Sequence, residues 1–245
     1  MNIAISQSQG EKRPDGWLSP VYGRSRKVSV DHEMLDRNRL VGYSRDAAAV
    51  EAFKMLRTKI LQAAGVEDRR VIMVTSPRRG EGKTMITVNL ALTFAKEFSQ
   101  TVLLIDGDLK NQNIHTCLGY ESEHGLGDYL HGQAKFEDLV AWPGIEKLTI
   151  VSGGSCRSES AELLNSPKMH KLMNDLKSRF KERYIIIDAP AALDSADTNV
   201  LAPMVDGIVL AVQAGRTLKK DISAALKLLP AAKILGIVVN RFSQK

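Results

Sequence analysis

A β-branched apolar run that leads directly into a glycine-containing loop constrains the fold of this chain more than any other feature. The run is Val71-Ile-Met-Val-Thr-Ser76, and the loop is Pro77-Arg-Arg-Gly-Glu-Gly-Lys-Thr84. Apolar residues at helical spacing follow, which predicts the order strand, loop, helix. In that order the loop N–H groups and the positive end of the helix dipole converge where a phosphate binds. The segment therefore predicts a P-loop, although Pro77 replaces its usual first glycine; the alternative is an ordinary glycine turn before a helix.

The side chains of this loop match the needs of a nucleoside triphosphate. Lys83 brings a mobile positive charge to the β- and γ-phosphates, and the Thr84 hydroxyl is placed to ligate Mg²⁺. Arg78 is a candidate for a catalytic charge that acts in trans across a dimer, whereas Arg79 either binds phosphate or is solvated. The predicted nucleotide-binding residues of the loop are Arg79, Gly80, Glu81, Gly82, Lys83, Thr84 and Met85.

Strand and helix patterns alternate after residue 70. Predicted strands are Val71–Ser76, Thr101–Asp106, Leu148–Val151, Tyr184–Asp188, Gly207–Val212 and Ile234–Val239. Predicted helices are Lys83–Glu97, a segment near Asp128, Ser160–Arg179 with a break near Pro167, and Leu218–Leu229. The strands lack polar alternation, as is typical of parallel strands buried on both faces. The pattern predicts an α/β fold, a doubly wound, mainly parallel sheet flanked by helices, with a ligand crevice at the carboxyl ends of the strands.

Three carboxylates end two of these strands, at the predicted crevice. Asp106 and Asp108 follow one apolar run, and Asp188 ends another. Each alone is also a common helix cap or turn former, but hard oxygen ligands beside a P-loop suit the Mg²⁺ of a nucleotide. We therefore predict a metal site of Thr84, Asp106 and Asp188. The predicted catalytic residues for phosphoryl transfer are Lys83, Asp106, Asp108 and Arg78.

Composition limits the class of protein. A chain of 245 residues with 44% hydrophobic content suits one α/β domain with a full core. Cys117 and Cys156 have no metal or redox spacing, which is typical of a reducing cytoplasm. No apolar stretch has the length of a transmembrane segment. The net charge of +6 is spread along the chain, so we expect no nucleic-acid partner.

The first 45 residues differ from the rest of the chain. They are polar, contain several glycines and prolines, and show no sustained period, which predicts a flexible basic arm at 1–45 before a P-loop domain at 46–245. Either the basic group of this arm attracts a membrane surface or partner, or it is solvated. Its members are Arg24, Arg26, Lys27, Arg37 and Arg39.

Residues 47–64 predict a helix, because apolar side chains recur at helical spacing without glycine or proline. Glu51, Lys54 and Arg57 repeat every three residues and so lie on one polar face. That face is either an ordinary charge-paired surface or a contact between subunits.

These motifs together resemble the MinD/ParA-like, deviant-Walker P-loop ATPases, and most closely the bacterial tyrosine kinases of capsule and exopolysaccharide synthesis. The likeness covers about residues 45–242. Thr75–Thr84 resembles the family's loop, Thr-Ser-x-x-x-Gly-Glu-Gly-Lys-Ser/Thr, and Asp106-Gly-Asp-Leu-Lys110 resembles its Asp-x-Asp-x-Arg motif. Asp188-Ala-Pro-Ala191 resembles its Walker B motif, Asp-x-Pro-Pro, and Glu51-Ala-Phe-Lys-Met-Leu-Arg57 resembles its oligomerisation motif, Glu-x-x-Arg-x-x-Arg.

The resemblance implies an ATP-dependent protein tyrosine (auto)kinase that regulates exopolysaccharide or capsule polymerisation and export, with ATP and Mg²⁺ as cofactors. It implies Asp106 as catalytic base or metal-water ligand, Asp108 as its partner and Asp188 as the Walker B acid. It also places Asn240 near the adenine and Arg78 where MinD/ParA proteins carry a signature lysine. The implied partners are further copies of this chain, through Glu51, Lys54 and Arg57, and a membrane chain-length-determinant or co-polymerase protein. Such a protein recruits the kinase to the inner face of the plasma membrane.

Two departures from the family pattern leave alternatives open. No tyrosine cluster follows Asn240, and the five tyrosines are dispersed at positions 22, 43, 120, 129 and 184. Tyr22 and Tyr43 are candidate acceptors because they lie in the predicted arm, whereas Tyr184 begins a buried strand. Met85 replaces a second hydroxyl that contacts the α-phosphate. The alternatives are a MinD/ParA-type positioning switch and a regulatory ATPase that gates polysaccharide export without phosphorylating protein.

Overall fold

The computed structural model of the chain describes residues 17–18, 20–23, 25–43, 46–64, 70–155 and 158–241. Its strands are β1 (Arg26–Lys27), β2 (Val71–Thr75), β3 (Thr101–Asp106), β4 (Ala141–Trp142), β5 (Leu148–Val151), β6 (Arg183–Asp188), β7 (Gly207–Gln213) and β8 (Ile234–Asn240). They form one sheet in the order β1-β4-β5-β3-β6-β2-β7-β8. All neighbouring strands are parallel except β4 and β5, so the predicted mainly parallel α/β fold is confirmed.

Helices cover both faces of this sheet. They are α1 (His32–Arg37), α2 (Ala47–Ala64), α3 (Lys83–Phe94), α4 (Ile114–Leu118), α5 (Leu126–Leu130), α6 (Phe136–Leu139), α7 (Ser160–Leu164), α8 (Pro167–Arg179), α9 (Asp197–Leu201) and α10 (Lys219–Leu228). Short 3₁₀ turns lie at Ala202–Met204 and Ala231–Lys233. None of the helices in the described ranges has the length and hydropathy of a membrane span.

Two hydrophobic cores explain why the central strands show no polar alternation. Leu103 and Ile105 of β3 point into the core that α8 covers, whereas Val102 and Leu104 point into the core that α3 covers. Because both sets of side chains are buried, every position of the strand from Val102 to Ile105 is apolar. The acidic residues that end β3 and β6, Asp106 and Asp188, therefore lie at the carboxyl edge of the sheet, next to the P-loop.

The polar face of α2 is partly used inside the chain. Arg57 Nε lies 2.8 Å from Glu97 Oε1, and Arg57 Nη1 donates to Thr93 O at 2.9 Å. Arg57 therefore fixes α2 to the carboxyl end of α3. Glu51 and Lys54 form an exposed pair at 3.3 Å, so they remain on the outer face of the helix.

The predicted flexible arm is wrong for residues 25–43. β1 pairs with β4, and α1 begins at an N-cap in which Asp31 accepts from Glu33 N and Met34 N. Leu35 and Leu40 are fully buried. Their apolar side chains are too widely spaced to form a sequence period, but they fill the groove beside α3 and α4. Residues 1–16, Arg24 and Cys156 lie outside the described residues.

Candidate active site

The P-loop connects β2 to α3 and adopts a conformation that only glycine allows at two positions. Gly80 and Gly82 have φ angles of 81° and 90°, in the left-handed region. A Cβ atom on Gly82 would lie 2.0 Å from Asn240 Nδ2. The loop thus approaches β8 too closely for any side chain at position 82, and Lys83 begins the helix immediately after it.

Glu81 stabilises the loop conformation through both of its carboxylate oxygens and its backbone carbonyl. Arg78 N donates to Glu81 Oε2 at 2.9 Å, and Thr217 Oγ1 donates to Glu81 Oε1. Asn240 Nδ2 donates to Glu81 O at 2.9 Å. Asn240, which the resemblance places near adenine, therefore braces the loop backbone in this structure. Thr217 lies 136 residues from Glu81 and carries no local sequence signal.

Lys83 brings two of the three predicted carboxylates together. Its Nζ lies 2.9 Å from Asp108 Oδ2 and 3.3 Å from Asp188 Oδ2. The Thr84 hydroxyl donates to Asp188 Oδ2 at 2.6 Å, and the Thr87 hydroxyl lies 3.2 Å from Asp188 Oδ1. The amine, the hydroxyl and the strand-end acids predicted from separate motifs thus form one buried cluster.

Asp106 adjoins this cluster through Asp108 and is fully buried. Asp106 Oδ1 accepts from Asp108 N at 3.2 Å, and Asp106 Oδ2 accepts from Asn113 N at 2.9 Å and Ile114 N at 3.1 Å. Burial, together with the nearby charge of Asp188, raises the pKa of Asp106 to about 7. A carboxyl group with a pKa near neutrality suits a general base.

Burial and charge act in opposite directions on the other members of the cluster. Burial raises the pKa of Asp188, and the positive charge of Lys83 only partly offsets that rise. Burial alone would lower the pKa of Lys83, but the carboxylates of Asp188 and Asp108 outweigh it and raise that pKa. Lys83 is therefore held as a cation among acids.

Three predicted loop residues have partners that the sequence did not indicate. Arg78 binds within its own chain, with Nη1 2.8 Å from Asp194 Oδ1 and Nη2 3.3 Å from Asp221 Oδ1. Arg79 N donates to Asp194 Oδ2 at 3.0 Å, while the Arg79 side chain is exposed. Met85 Sδ lies 3.7 Å from Cys117 Sγ, on the side of α3 that faces α4.

The oxygen donors of the cluster fit Mg²⁺ bound together with a phosphate. Within the described ranges, no group of three or more His, Cys, Asp and Glu side chains forms a metal site of its own. Mg²⁺ is commonly bound by one or two carboxylates plus substrate phosphates rather than by a closed protein cage. Thr84 Oγ1 and Asp188 Oδ2, both buried hard oxygens, lie 2.6 Å apart and match this arrangement.

Comparisons with known proteins agree with this geometry. The family model described as the CobQ/CobB/MinD/ParA nucleotide binding domain matches residues 72–245. The tyrosine-protein kinase YwqD of Bacillus subtilis (strain 168) is 32% identical over 192 residues, which cover 78% of this chain and 80% of YwqD.

Solved structures extend the likeness. The VpsO kinase domain is 32% identical, with a TM-score of 0.68 over 80% of this chain and all of that domain (100%). MinD of Pyrococcus horikoshii OT3, solved with Mg-ADP, is 27% identical, with a TM-score of 0.58 over 72% of each chain. The shared fold thus accommodates a magnesium nucleotide in that relative.

Proposed function

This chain belongs to the CobQ/CobB/MinD/ParA nucleotide-binding family and, within it, to the bacterial tyrosine-protein kinases, and we propose that it acts as an ATP- and Mg²⁺-dependent tyrosine kinase of capsule or exopolysaccharide synthesis. The membership confirms the family that the three Walker motifs predicted. The observation that carries the residue roles is the contact of Lys83 with both Asp108 and Asp188 at the start of α3.

ATP binding falls to the P-loop. The N–H groups around Gly80 and Gly82 face the phosphates, and the Glu81 contacts fix the loop before nucleotide arrives. Lys83 supplies positive charge to the β- and γ-phosphates. Asp108 holds the Lys83 amine beside the carboxylates of the site. Thr84 and Asp188 are the residues that would hold Mg²⁺, which when bound neutralises charge on the same phosphates.

Asp106 acts as the base in this proposal. Its carboxylate accepts the phenolic proton as the tyrosine oxygen attacks the γ-phosphorus. Three backbone N–H groups fix the orientation of the carboxylate, and a pKa of about 7 leaves a large fraction ionised at neutral pH. Arg78 remains a candidate for charge supplied in trans, after release from Asp194 and Asp221.

The partners are proposed from the family and from the free face of α2. Glu51 and Lys54 are exposed there and fit a contact with a second copy, whereas Arg57 is engaged within the chain. A membrane chain-length-determinant or co-polymerase protein would recruit the kinase to the cytoplasmic face of the plasma membrane and activate it.

A second candidate function is a regulatory ATPase of the same export system, favoured by the packing of all five tyrosines against other side chains. The two functions separate when wild type and Lys83→Ala are incubated with ATP and Mg²⁺, with and without the cytoplasmic segment of the membrane partner. The kinase predicts phosphotyrosine in the wild type only. ATP hydrolysis without phosphotyrosine in the wild type would instead support the regulatory ATPase.

A further inference from the structure

Arg216 places a positive charge against the P-loop. A Cβ atom on Gly80 would lie 3.4 Å from Arg216 Nη1, 3.8 Å from Arg216 Nη2 and 3.9 Å from Arg216 Cζ. The guanidinium group therefore lies beside the loop glycine, although the residue as a whole is exposed. Within the ranges that the structure describes, the Arg216 side chain forms neither an ion pair nor a hydrogen bond. Its charge is thus open to a ligand.

The turn that carries Arg216 is joined to the P-loop by hydrogen bonds. Thr217 Oγ1 donates to Glu81 Oε1 and accepts from Gln213 N at 2.8 Å. Arg216 N and Thr217 N both donate to Gln213 O, at 3.2 Å and 3.0 Å. Because these bonds fix the backbone at Arg216 relative to the loop before nucleotide binds, they lower the entropic cost of a contact between its side chain and a ligand.

The order of the strands puts Arg216 and Lys83 on opposite sides of the P-loop. The loop follows β2, which has β6 on one side and β7 on the other. Lys83 contacts Asp108 and Asp188, which lie at the ends of β3 and β6, so its charge lies on the β6 side. Arg216 follows β7, which ends at Gln213, so its charge lies on the β7 side. A chain of phosphates in the loop is then flanked by positive charge on both sides.

A cation beside this loop is unfavourable unless an anion accompanies it. The N-terminus of α3, which the loop precedes, carries partial positive charge and favours anions. Lys83 and Arg78, two other cations of the loop, each have two carboxylate partners. Glu81 has both of its carboxylate oxygens bound to other groups. The charge of Arg216 therefore matches an anion from outside the chain.

We propose that Arg216 is a phosphate-binding residue of the nucleotide site, and that its guanidinium contacts the α- and β-phosphates from the side opposite Lys83. The inference rests on the proposed ATP-binding function and adds a residue that lies outside the Walker motifs. A guanidinium group suits this role because its planar N–H donors can bind two phosphate oxygens at once.

The choice of phosphates follows from the position of the proposed catalytic groups. Asp106 and Asp188, the proposed base and metal ligand, end β3 and β6. The γ-phosphate therefore lies on the β6 side of the loop, and the α- and β-phosphates extend toward β7, which Arg216 follows. ATP and ADP share these two phosphates. Loss of Arg216 should accordingly weaken both nucleotides to the same extent, whereas a contact with the γ-phosphate would affect ATP alone.

The test measures nucleotide binding without turnover. Arg216→Gln removes the charge, Arg216→Lys keeps it without the planar donors, and Lys227→Gln at the exposed far end of α10 is the matched control. Isothermal titration with ATP and with ADP is run in Mg²⁺ at low salt. We expect Arg216→Gln to raise both Kd values at least about tenfold and Arg216→Lys to raise them about threefold. Lys227→Gln should stay within about twofold of wild type.

Salt and thermal unfolding distinguish a charge contact from a structural role. In about 0.5 M NaCl the difference between wild type and Arg216→Gln should shrink to less than about threefold, since the contact is electrostatic and partly exposed. Without nucleotide, the melting temperature of Arg216→Gln should stay within about 2 °C of wild type, because its side chain is exposed and unpaired.

The outcomes separate this inference from the proposed function. A wild-type protein that binds neither nucleotide would contradict the ATP-dependent function itself. If wild type binds and Arg216→Gln has equal Kd values for ATP and ADP, only the role of Arg216 is overturned. A loss for ATP alone, or a loss in Arg216→Gln that high salt does not reduce, would also overturn the proposed contact.

Discussion

Lys83 Nζ lies between two carboxylates from different strands, 2.9 Å from Asp108 Oδ2 and 3.3 Å from Asp188 Oδ2. The P-loop lysine therefore stabilises the folded chain in the absence of ATP, because it neutralises two acids that the chain buries together. The same charge is then available to phosphate when nucleotide enters.

Lys83→Met should lower the free energy of unfolding by about 3 kcal/mol at pH 8, since it leaves buried carboxylates without their cation. Urea denaturation in the absence of nucleotide measures the change. The matched control is the same substitution in an Asp108→Asn background, where one of the unpaired charges is gone. We expect the cost there to be roughly 1 kcal/mol smaller or more. Equal costs in both backgrounds would show that Lys83 and Asp108 are not coupled.

Stability without nucleotide should fall as pH rises from 5 to 8. The Asp106 carboxyl keeps its proton up to a pKa of about 7 in the folded chain, against 3.8 for the free side chain. The folded state therefore binds more protons between these values, and its stability is lost as pH passes through the folded pKa. The pKa of Asp188 is raised in the same direction.

The pH effect is measured as the difference between wild type and Asp106→Asn, with EDTA present. We expect wild type to lose on the order of 1 kcal/mol or more relative to the variant between pH 5 and pH 8. A difference that is constant, or that grows in favour of wild type with pH, would contradict the assignment.

Gly82→Ala should weaken ATP binding, because the new methyl group meets Asn240 Nδ2 and the backbone is held at a φ of 90°. Gly144→Ala is the matched control, since its φ is 74° but nothing lies within 4 Å of the added atom. Isothermal titration should give at least about a tenfold weaker Kd for Gly82→Ala and an unchanged Kd for Gly144→Ala, whose strain of roughly 1 kcal/mol affects stability only. Equal ATP affinities would show that the loop tolerates a side chain at position 82.

Substitutions of two cationic residues of α2, Arg57 and Lys54, should distinguish an effect on the stability of the folded chain from an effect on assembly. Arg57→Ala removes the ion pair with Glu97, in which less than a third of either side chain is exposed, and the hydrogen bond to Thr93 O. It should cost about 2 kcal/mol of unfolding free energy. Lys54→Glu breaks only an exposed pair and should change stability by less than about 0.5 kcal/mol.

Light scattering then tests the proposed subunit contact. We expect Lys54→Glu to lower the mass of any oligomer while its melting temperature stays that of wild type. An unchanged mass in that variant would reduce Glu51 and Lys54 to an ordinary charged surface.

The sequence predicted the parts of this molecule that repeat or run continuously. All six predicted strands, β2, β3, β5, β6, β7 and β8, were predicted within one residue at each end. In all of them but the edge strand β8, burial on both faces leaves a mainly apolar run. The P-loop and its acids were found because phosphate chemistry demands fixed residue types at strand ends. Lys83, Asp108 and Asp188 accordingly meet in space as those motifs implied.

What the sequence missed depends on contacts between distant residues. The two-residue strands β1 and β4 and the five-residue helix α4 are too short to show a period. Thr217 reaches Glu81 across 136 residues, so nothing local marks it. Asn240 was expected at the nucleotide site, but its contact with Glu81 O, across 159 residues, was not. The error over residues 25–43 has the same cause, since Leu35 and Leu40 are buried by partners on α3 and α4 rather than by neighbours in sequence.

The transfer of γ-labelled phosphate from ATP, followed by phosphoamino-acid analysis, tests the central claim most directly. Wild type and Asp106→Asn are compared at saturating ATP with Mg²⁺ and a tyrosine-bearing peptide, after their ATP affinities have been measured. The account predicts label on tyrosine in the wild type and at least about a hundredfold slower transfer in Asp106→Asn with similar ATP affinity. Label on tyrosine at equal rates in both proteins, or no labelled tyrosine in either, would contradict it.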